Sequence, residues 1–335
     1  MNRFFSFILI LLYVFIISSC TDKDAQYVTN EGRVFNTSYR IVYYHHQNLH
    51  DEIRALFEVF NNSLSPYESS SIISRVNNNE VGVEVDTLFK NVFSRSKQIS
   101  SITDGAFDIT VAPLVNAWGF GFETHEDFDE HKIDSLLQYV GMDQISIKDD
   151  FVVKEFDGVK IDGSAIAKGY AVDVVASFLN GRGISNFMIE IGGEIVARGV
   201  NSRGIPWRIG IDRPDYDPSA LNRDIKMIIE LSDKALATSG NYRNFYVKDG
   251  KKFAHTIDPR TGYPVEHTLL SASVVTHDAM SADAFATAFM VMGVDASLAL
   301  TESLDCVEAS FIYSYNGEQK VLLSSGFEDY VITIE

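Results

Sequence analysis

Apolar and polar positions along the chain change period repeatedly, and each change marks an element. Val34 to Tyr44 alternates and is rich in β-branched and aromatic residues, which predicts a strand, whereas Asp51 to Phe60 carries apolar residues at helical spacing. A turn at Ser65-Pro66-Tyr67 follows. Residues 86 to 102 return to the helical period with Leu88, Val92 and Ile99 on one side, and Thr103-Asp104-Gly105 closes that helix. A further helix is expected over 131 to 140. Phe151 to Ile161 predicts paired strands around Asp157-Gly158, and Ile166 to Leu179 predicts a helix with Ile166, Tyr170, Val174 and Phe178 on one face. Strand patterns then dominate: Phe187 to Gly199, Trp207 to Asp212, Lys226 to Leu231, Asn244 to Val247 and Leu269 to Val275. Helices near 280 to 304 and a closing pair of strands near 308 to 334 complete the chain. Strands and helices are grouped rather than strictly alternating, which favours an α+β fold over a doubly wound parallel sheet. No repeat at solenoid periods and no low-complexity tract occurs.

The amino terminus has the parts of a secretory signal: Arg3, an apolar run from Phe4 to Ile17, and small residues before a cysteine in Ser18-Ser19-Cys20. Read as a lipobox, this divides the chain into a signal peptide (1–19), a lipidated Cys20 with a tether to residue 30, and one large domain (31–335). An uncleaved amino-terminal helix, or cleavage with an incidental cysteine, is the competing interpretation. The lipoprotein reading puts the protein at a membrane by its lipid anchor, on the periplasmic side of the inner membrane. Cys20 and Cys306 are the two cysteines, so acylation of the first leaves no disulfide to support the fold. The roughly 315 remaining residues suffice for a well-buried core. A formal charge of −18 without basic runs excludes a nucleic-acid partner. A phosphate-bearing ligand must therefore be held locally, by a metal, a helix start or a placed lysine.

Three segments have the residue types for that. Asp162-Gly163-Ser164-Ala165-Ile166-Ala167-Lys168-Gly169-Tyr170 runs through small residues from a strand into a helix, whose first N–H groups and first-turn Lys168 can meet an anion. The same residues also suit an ordinary cap with a solvated lysine. His255-Thr256-Ile257-Asp258-Pro259-Arg260-Thr261-Gly262-Tyr263-Pro264 is a turn beside a histidine, either a general base or a strand-end residue bonded to backbone. In Ser281-Ala282-Asp283-Ala284-Phe285-Ala286-Thr287, Asp283 and Thr287 lie four apart on one helical face. With a backbone carbonyl they compose a hard oxygen site for Mg²⁺, or simply a helix charge and a buried threonine. Gly105-Ala106-Phe107-Asp108-Ile109-Thr110, Ile191-Gly192-Gly193-Glu194 and Ala237-Thr238-Ser239-Gly240-Asn241-Tyr242-Arg243 each fit a tight turn. Gly192-Gly193 lacks the GxGxxG continuation of a Rossmann site, and neither a GxSxG elbow nor a P-loop is present.

Taken in order, these six motifs resemble the FAD:protein FMN transferase family, the ApbE-type flavin transferases, from about Gly32 to the end of the chain. The resemblance implies an α+β fold of two T-fold-like subdomains with FAD in the cleft between them. It implies Mg²⁺ held by Asp283, Thr287 and the Ala165 carbonyl, and His255 as base. Flavin and pyrophosphate contacts carry over to Ala106, Phe107, Asp108, Asp162, Lys168 and the Ile257 backbone, with Tyr67 packing against the cofactor and Phe35 on the flavin side. The chain departs from the family in having Phe35-Asn36-Thr37 in place of Met-Gly-Thr and Gly163 in place of leucine.

The implied reaction is Mg²⁺-dependent transfer of FMN from FAD through a phosphoester bond to a threonine of an acceptor protein, with release of AMP. The acceptor would be a redox-pump subunit or another periplasm-facing flavoprotein. Two alternatives use the same residues: an Mg²⁺-dependent FAD pyrophosphatase that releases FMN and AMP, and a non-catalytic flavin-binding lipoprotein.

Overall fold

The computed structural model describes residues 25–122, 132–214, 224–241, 245–248 and 251–335. The expected signal peptide and Cys20 lie outside the described residues, as do the first residue of the expected 131–140 helix and Asn244. No helix among the described residues is long and apolar enough to cross a membrane.

The centre of the fold is an eight-stranded antiparallel sheet made of two similar halves. In the first, β1 (Gln26–Val34) and β2 (Thr37–His45) are followed, after a long helical excursion, by β5 (Phe187–Ile191) and β6 (Glu194–Arg198). In the second, β9 (Lys234–Gly240) and β12 (Leu269–Thr276) are followed by helices and then β13 (Glu308–Tyr315) and β14 (Glu318–Leu323). Each half orders its four strands as they occur in the chain, and β6 pairs with β9 to join them. The expected α+β fold of two related subdomains takes this form, with a continuous sheet across the junction.

Alternation along the strands assigns the two faces. Tyr39, Ile41 and Tyr43 of β2, Phe187 and Ile189 of β5, Ala272 and Val274 of β12, and Phe311 of β13 all point to one core. That core is covered by α1 (His50–Leu64), α3 (Thr87–Ile102), α6 (Ala167–Gly181) and α7 (Ala279–Met292), with α8 (Val294–Glu302) against β13. The opposite face, through Ile195, Ala197, Leu236 and Val275, packs on a three-stranded sheet of β7 (Trp207–Asp212), β8 (Ile225–Leu231) and β15 (Val331–Ile334). Both faces of the central strands are therefore dry. A third, small core sits beside them, where α4 (Ala112–Ala117) and α5 (Ile133–Leu137) bury Leu114, Trp118 and Ile133 against Ile257.

Several local expectations change. Residues 26–30, expected to belong to a tether, are already in β1, paired in register with 41–45 of β2. The 151–161 segment turns at Asp157-Gly158, where the Val159 N–H donates to the Phe156 carbonyl at 3.1 Å, but the turn joins no strand pair: β3 (Ile145–Lys148) and β4 (Phe151–Lys154) instead meet through Asp149-Asp150, both at positive φ as a two-residue hairpin requires. No strand leads into α6, only a single parallel bridge from Lys160 to Val111. The expected face of α6 does meet the core, with Ile166 fully buried and Tyr170, Val174 and Phe178 partly so, but its deepest positions are Gly169, Ala171, Val172, Val175, Ala176 and Leu179. Small residues at 169 and 176 mark the close packing that an apolar count passes over. Ala237 to Gly240 is strand β9 rather than a turn.

Candidate active site

The two halves and the segments inserted between their elements enclose one cavity of about 380 Å³. The first half contributes Asp162, Ala165, Lys168, Gly192 and Glu194; the second contributes Thr238, Ser239, Gly240, Asp283 and Thr287. Ala106, Phe107 and Asp108 line another wall, with His255, Thr256 and Ile257 nearby. Ten of the residues singled out in the sequence therefore meet in one space: Ala106, Phe107, Asp108, Asp162, Ala165, Lys168, His255, Ile257, Asp283 and Thr287.

Two do not. Phe35 lies at φ 50 in the two-residue turn between β1 and β2, and its ring packs on Phe57 and Phe60, 5.8 and 5.3 Å away between centroids. A non-glycine residue holds this left-handed position at some cost, offset here by ring burial, so Phe35 supports the fold instead of lining the cavity. Thr37 beyond it does approach the cavity wall, against Gly192: a Cβ at Gly192 would lie 2.9 Å from the Thr37 methyl. Tyr67 is 66% exposed and is not among the lining residues. Desolvation of its phenol, and then the Asp162 carboxylate, raise its pKa, which places it beside the cavity rim.

Segment 160–162 is held by a side-chain amide that mimics a strand. Asn77, buried at the end of α2 (Ile72–Asn77), donates from Nδ2 to the Ile161 carbonyl at 2.8 Å and accepts the Ile161 N–H at 2.8 Å. The Asp162 N–H donates to the Ile109 carbonyl at 2.7 Å, so the Phe107–Asp108 wall and the approach to α6 are fixed together. Asp108 accepts from the Thr110 hydroxyl (2.5 Å) and N–H (2.7 Å); burial nevertheless raises its pKa.

The region where α6 and α7 begin carries the strongest charges. Lys168 Nζ lies 3.1 Å from Glu194 Oε1 and 3.7 Å from Asp283 Oδ2. Burial opposes the lysine charge, but Asp283 and Glu194 outweigh it, and the ammonium pKa is raised. Glu194 is 3% exposed and its Oε2 has no hydrogen-bond partner among the described residues; burial, and Asp283 after it, raise its pKa against the pull of Lys168. Two carboxylates and one ammonium leave this corner net acidic, and Asp108 and Asp162 add to it. A pyrophosphate dianion is repelled here unless a cation accompanies it.

The oxygen donors for such a cation are present. The Gly169 N–H, one of the donors that the start of α6 leaves without a partner inside the helix, donates to Asp283 Oδ2 at 3.1 Å. Ala165, just before the Ile166 cap, lines the same cavity wall. Thr287 stands one turn beyond Asp283, its hydroxyl 3.4 Å from that of Ser239. A carboxylate, a hydroxyl and a carbonyl make an oxygen-only set that fits a hard divalent ion.

His255 is held on the cavity wall, its ring 6.4 Å from Phe120 at 70°. The turn that follows is closed by Asp258, whose N–H donates to the Tyr263 carbonyl (2.9 Å) and whose carboxylate takes a bidentate bond from Arg260. The Trp118 indole N–H donates to the Gly262 carbonyl at 2.8 Å, tying this turn to the α4–α5 core. Gly262 has φ +81, and a Cβ there would strike Ile133 at 2.5 Å.

A family model described as the ApbE family matches residues 35–311. The chain belongs to the ApbE family. Among its relatives, the FAD:protein FMN transferase of Vibrio cholerae is 37% identical over 303 residues, 88% of this chain and 89% of that protein. The Haemophilus influenzae protein of the same name is 32% identical over 95% of both chains. The solved flavin transferase ApbE from Vibrio cholerae superposes with a TM-score of 0.81 at 34% identity, covering 91% of this chain and 99% of that one. The apo flavinyl transferase ApbE of Pseudomonas stutzeri gives 0.80 at 30% identity, covering 91% and 97%.

Within the ApbE fold, the residue that the sequence pattern did not assign to the site is Glu194. It follows Gly192-Gly193, whose positive φ values make the β5–β6 hairpin, and the register Ile191↔Glu194 turns it into the cavity. The available signal was a lone acid opening an otherwise apolar strand. Thr238 and Ser239 were hidden differently, since they end a strand with small polar residues where the cavity needs room.

Proposed function

We propose that this ApbE-family enzyme transfers the FMN half of FAD to a threonine hydroxyl of an acceptor protein, with Mg²⁺ as its cation. The observation that carries the reading is the bond from the Gly169 N–H at the start of α6 to Asp283 of α7, which supports a cation-binding set of Ala165, Asp283 and Thr287 in the cavity that His255 lines. When bound, Mg²⁺ supplies Lewis-acid charge stabilisation at pyrophosphate oxygens. Lys168 offers its ammonium to a phosphate oxygen, and the walls from Phe107 to Asp108 and from His255 to Ile257 hold the flavin and orient the phosphorus. His255 takes the proton of the threonine hydroxyl; that oxygen bonds to the FMN-side phosphorus as the bond from it to the bridging oxygen breaks, and AMP leaves with that oxygen. Positioning and electrostatics supply most of such a reaction's acceleration.

The acceptor reading is a redox-pump subunit or other periplasm-facing flavoprotein, with its threonine in a short Gly-Ala-Thr-like context. The lipobox supports attachment through Cys20 on the periplasmic side of the inner membrane, which would bring the cavity to such an acceptor. The test is intact-mass analysis of a candidate acceptor incubated with the full chain in detergent, FAD and Mg²⁺. A mass gain of one FMN residue, lost when the acceptor threonine is replaced, is the expected result. Accumulation of AMP and free FMN with an unmodified acceptor would replace the transferase by the pyrophosphatase.

A further inference from the structure

The start of α7 is held by two carboxylates, and only one belongs to it. Asp278, the N-cap, accepts the Ser281 N–H at 2.8 Å and the Ser281 hydroxyl at 2.5 Å. The other comes from the middle of α6: Asp173 Oδ1 accepts the Ala279 N–H at 2.9 Å and Oδ2 accepts the Met280 N–H at 2.8 Å. One carboxylate thus spans the first two amides of the neighbouring helix.

A turn earlier on α6, Gly169 donates to Asp283 and leaves no room for a side chain, since a Cβ there would lie 2.1 Å from the Ala279 carbonyl oxygen. Residues 169 and 173, four apart on one helix, therefore grip 279–280 and 283 on the other. Two points of attachment fix both the sliding and the rotation of α7 on α6. Arg95 of α3 braces the same turn, with Nε and Nη2 donating to the Ser281 hydroxyl at 2.8 and 2.7 Å. Ala165 and Lys168 lie at the start of α6, whereas Asp283 and Thr287 are on α7.

We propose that Asp173 is a positioning residue of the cation site, its carboxylate setting the register of α7 on α6 so that Asp283 and Thr287 are presented together with the Ala165 carbonyl. The inference rests on the reading of those three residues as the cation-holding set. Asp173 touches none of them and acts through the helix start. Its two acceptor oxygens are what the geometry uses. An amide supplies one acceptor and turns an NH₂ group towards the second N–H, so Asp173→Asn displaces the helix start without opening a cavity.

A purely stabilising role makes a different prediction. Burial, and then the nearby Asp278, raise the Asp173 pKa to about 7 against the opposing Ala279 and Met280 N–H bonds and, more weakly, Arg198, so the buried charge is itself a cost at alkaline pH. At pH 8, D173N is expected to unfold no earlier than the wild type. Its Mg²⁺ affinity is nevertheless expected to fall about 10-fold, the lower end of the range for losing a direct partner of a metal ligand, because Asp173 acts through the helix start.

The experiment titrates Mg²⁺ calorimetrically into the full chain in detergent at pH 8, with FAD present and no acceptor, for wild type, D173N, D278N and D283A. D278N removes a neighbouring charge while keeping a good cap, and its Kd is expected to stay within about twofold of wild type, in contrast to the partner-loss range. Loss of affinity in D173N and D283A but not in D278N supports the assignment. Wild-type affinity in D173N with loss in D283A overturns the role of Asp173 alone, whereas wild-type affinity in D283A overturns the cation set itself. If D173N does not fold, D173S, neutral and still an acceptor, is read in the same way.

Discussion

Replacing Gly169 by alanine tests the closest contact in the site. On propensity alone the change favours a helix by about 1 kcal/mol. A Cβ at this position, however, would lie 2.1 Å from the Ala279 carbonyl oxygen, 2.6 Å from its carbon and 2.9 Å from the Asp283 Cβ. Two of those atoms are backbone and the third is the stem of a buried side chain, so no rotamer change relieves the clash. The helices must separate by about 1 Å to restore ordinary contact distances, and overpacking of this kind costs about 1–3 kcal/mol. Separation also breaks the Gly169 N–H bond to the Asp283 carboxylate, a charge-assisted bond whose loss adds about 1.5–3 kcal/mol. The net expectation is a destabilisation of about 2–5 kcal/mol, read as a lower urea midpoint by circular dichroism, with transfer activity reduced in the folded fraction. Gly163→Ala is the control: its nearest neighbours would be the Ala167 Cβ and the Ile73 Cδ1, both at 3.9 Å, so the midpoint should hardly move. A G169A protein as stable and as active as wild type would show that α6 and α7 are not locked at this crossing.

The other expectations concern charge and anchorage. Gly181, the last residue of α6, has nothing within 4 Å of a Cβ, so Gly181→Ala should stabilise by about 0.5–1 kcal/mol, measured by denaturant midpoint. Lys168→Met leaves Glu194 and Asp283 buried without their counter-charge and should cost about 3 kcal/mol or more in unfolding experiments; the K168M/E194Q double variant should recover part of it, and an additive loss would contradict the coupling. Trp118→Phe leaves the Gly262 carbonyl without its donor, so a loss of about 1–3 kcal/mol in the unfolding midpoint is expected, together with a raised KM for FAD. Because the Asp173 pKa is raised to about 7, its contribution to stability is full below about pH 4 and is lost as pH rises through about 7. The stability difference between wild type and D173N should therefore move in favour of D173N by on the order of 3 kcal/mol between pH 4 and pH 8, and a pH-independent difference would contradict the shift.

Much of the site was legible because its residues break local patterns in ways chemistry explains. Small residues leading into a helix at 162–169, an acid and a hydroxyl four apart in an apolar helix, and a histidine before a Pro-Gly turn all belong to one cavity. Phe35 was misread because its place in the chain suggested a cofactor wall, whereas a two-residue hairpin at positive φ sends its ring onto Phe57 and Phe60. The buried face of α6 is broader than the expected one: Val172, Val175 and Leu179 are fully buried beside Ile166, while Tyr170, Val174 and Phe178 pack at its margin, and Gly169 makes the closest helix contact, which an apolar count passes over.

The hardest feature to anticipate was the pairing of β6 with β9, which are separated by the β7–β8 excursion and carry little local signal at their cavity ends. Yet that pairing makes the site. It places Glu194 at the start of one strand and Thr238 and Ser239 near the end of the other, under the starts of two helices that come from different halves. Neither half supplies all the oxygen donors of the proposed cation set, since Ala165 belongs to one half and Asp283 and Thr287 to the other, joined by the bond from the Gly169 N–H to Asp283. Binding chemistry here is a property of the junction. The contacts that set the relative position of α6 and α7, at Gly169 and Asp173, should therefore govern cation affinity as strongly as residues that line the cavity, although neither carries a side chain into it.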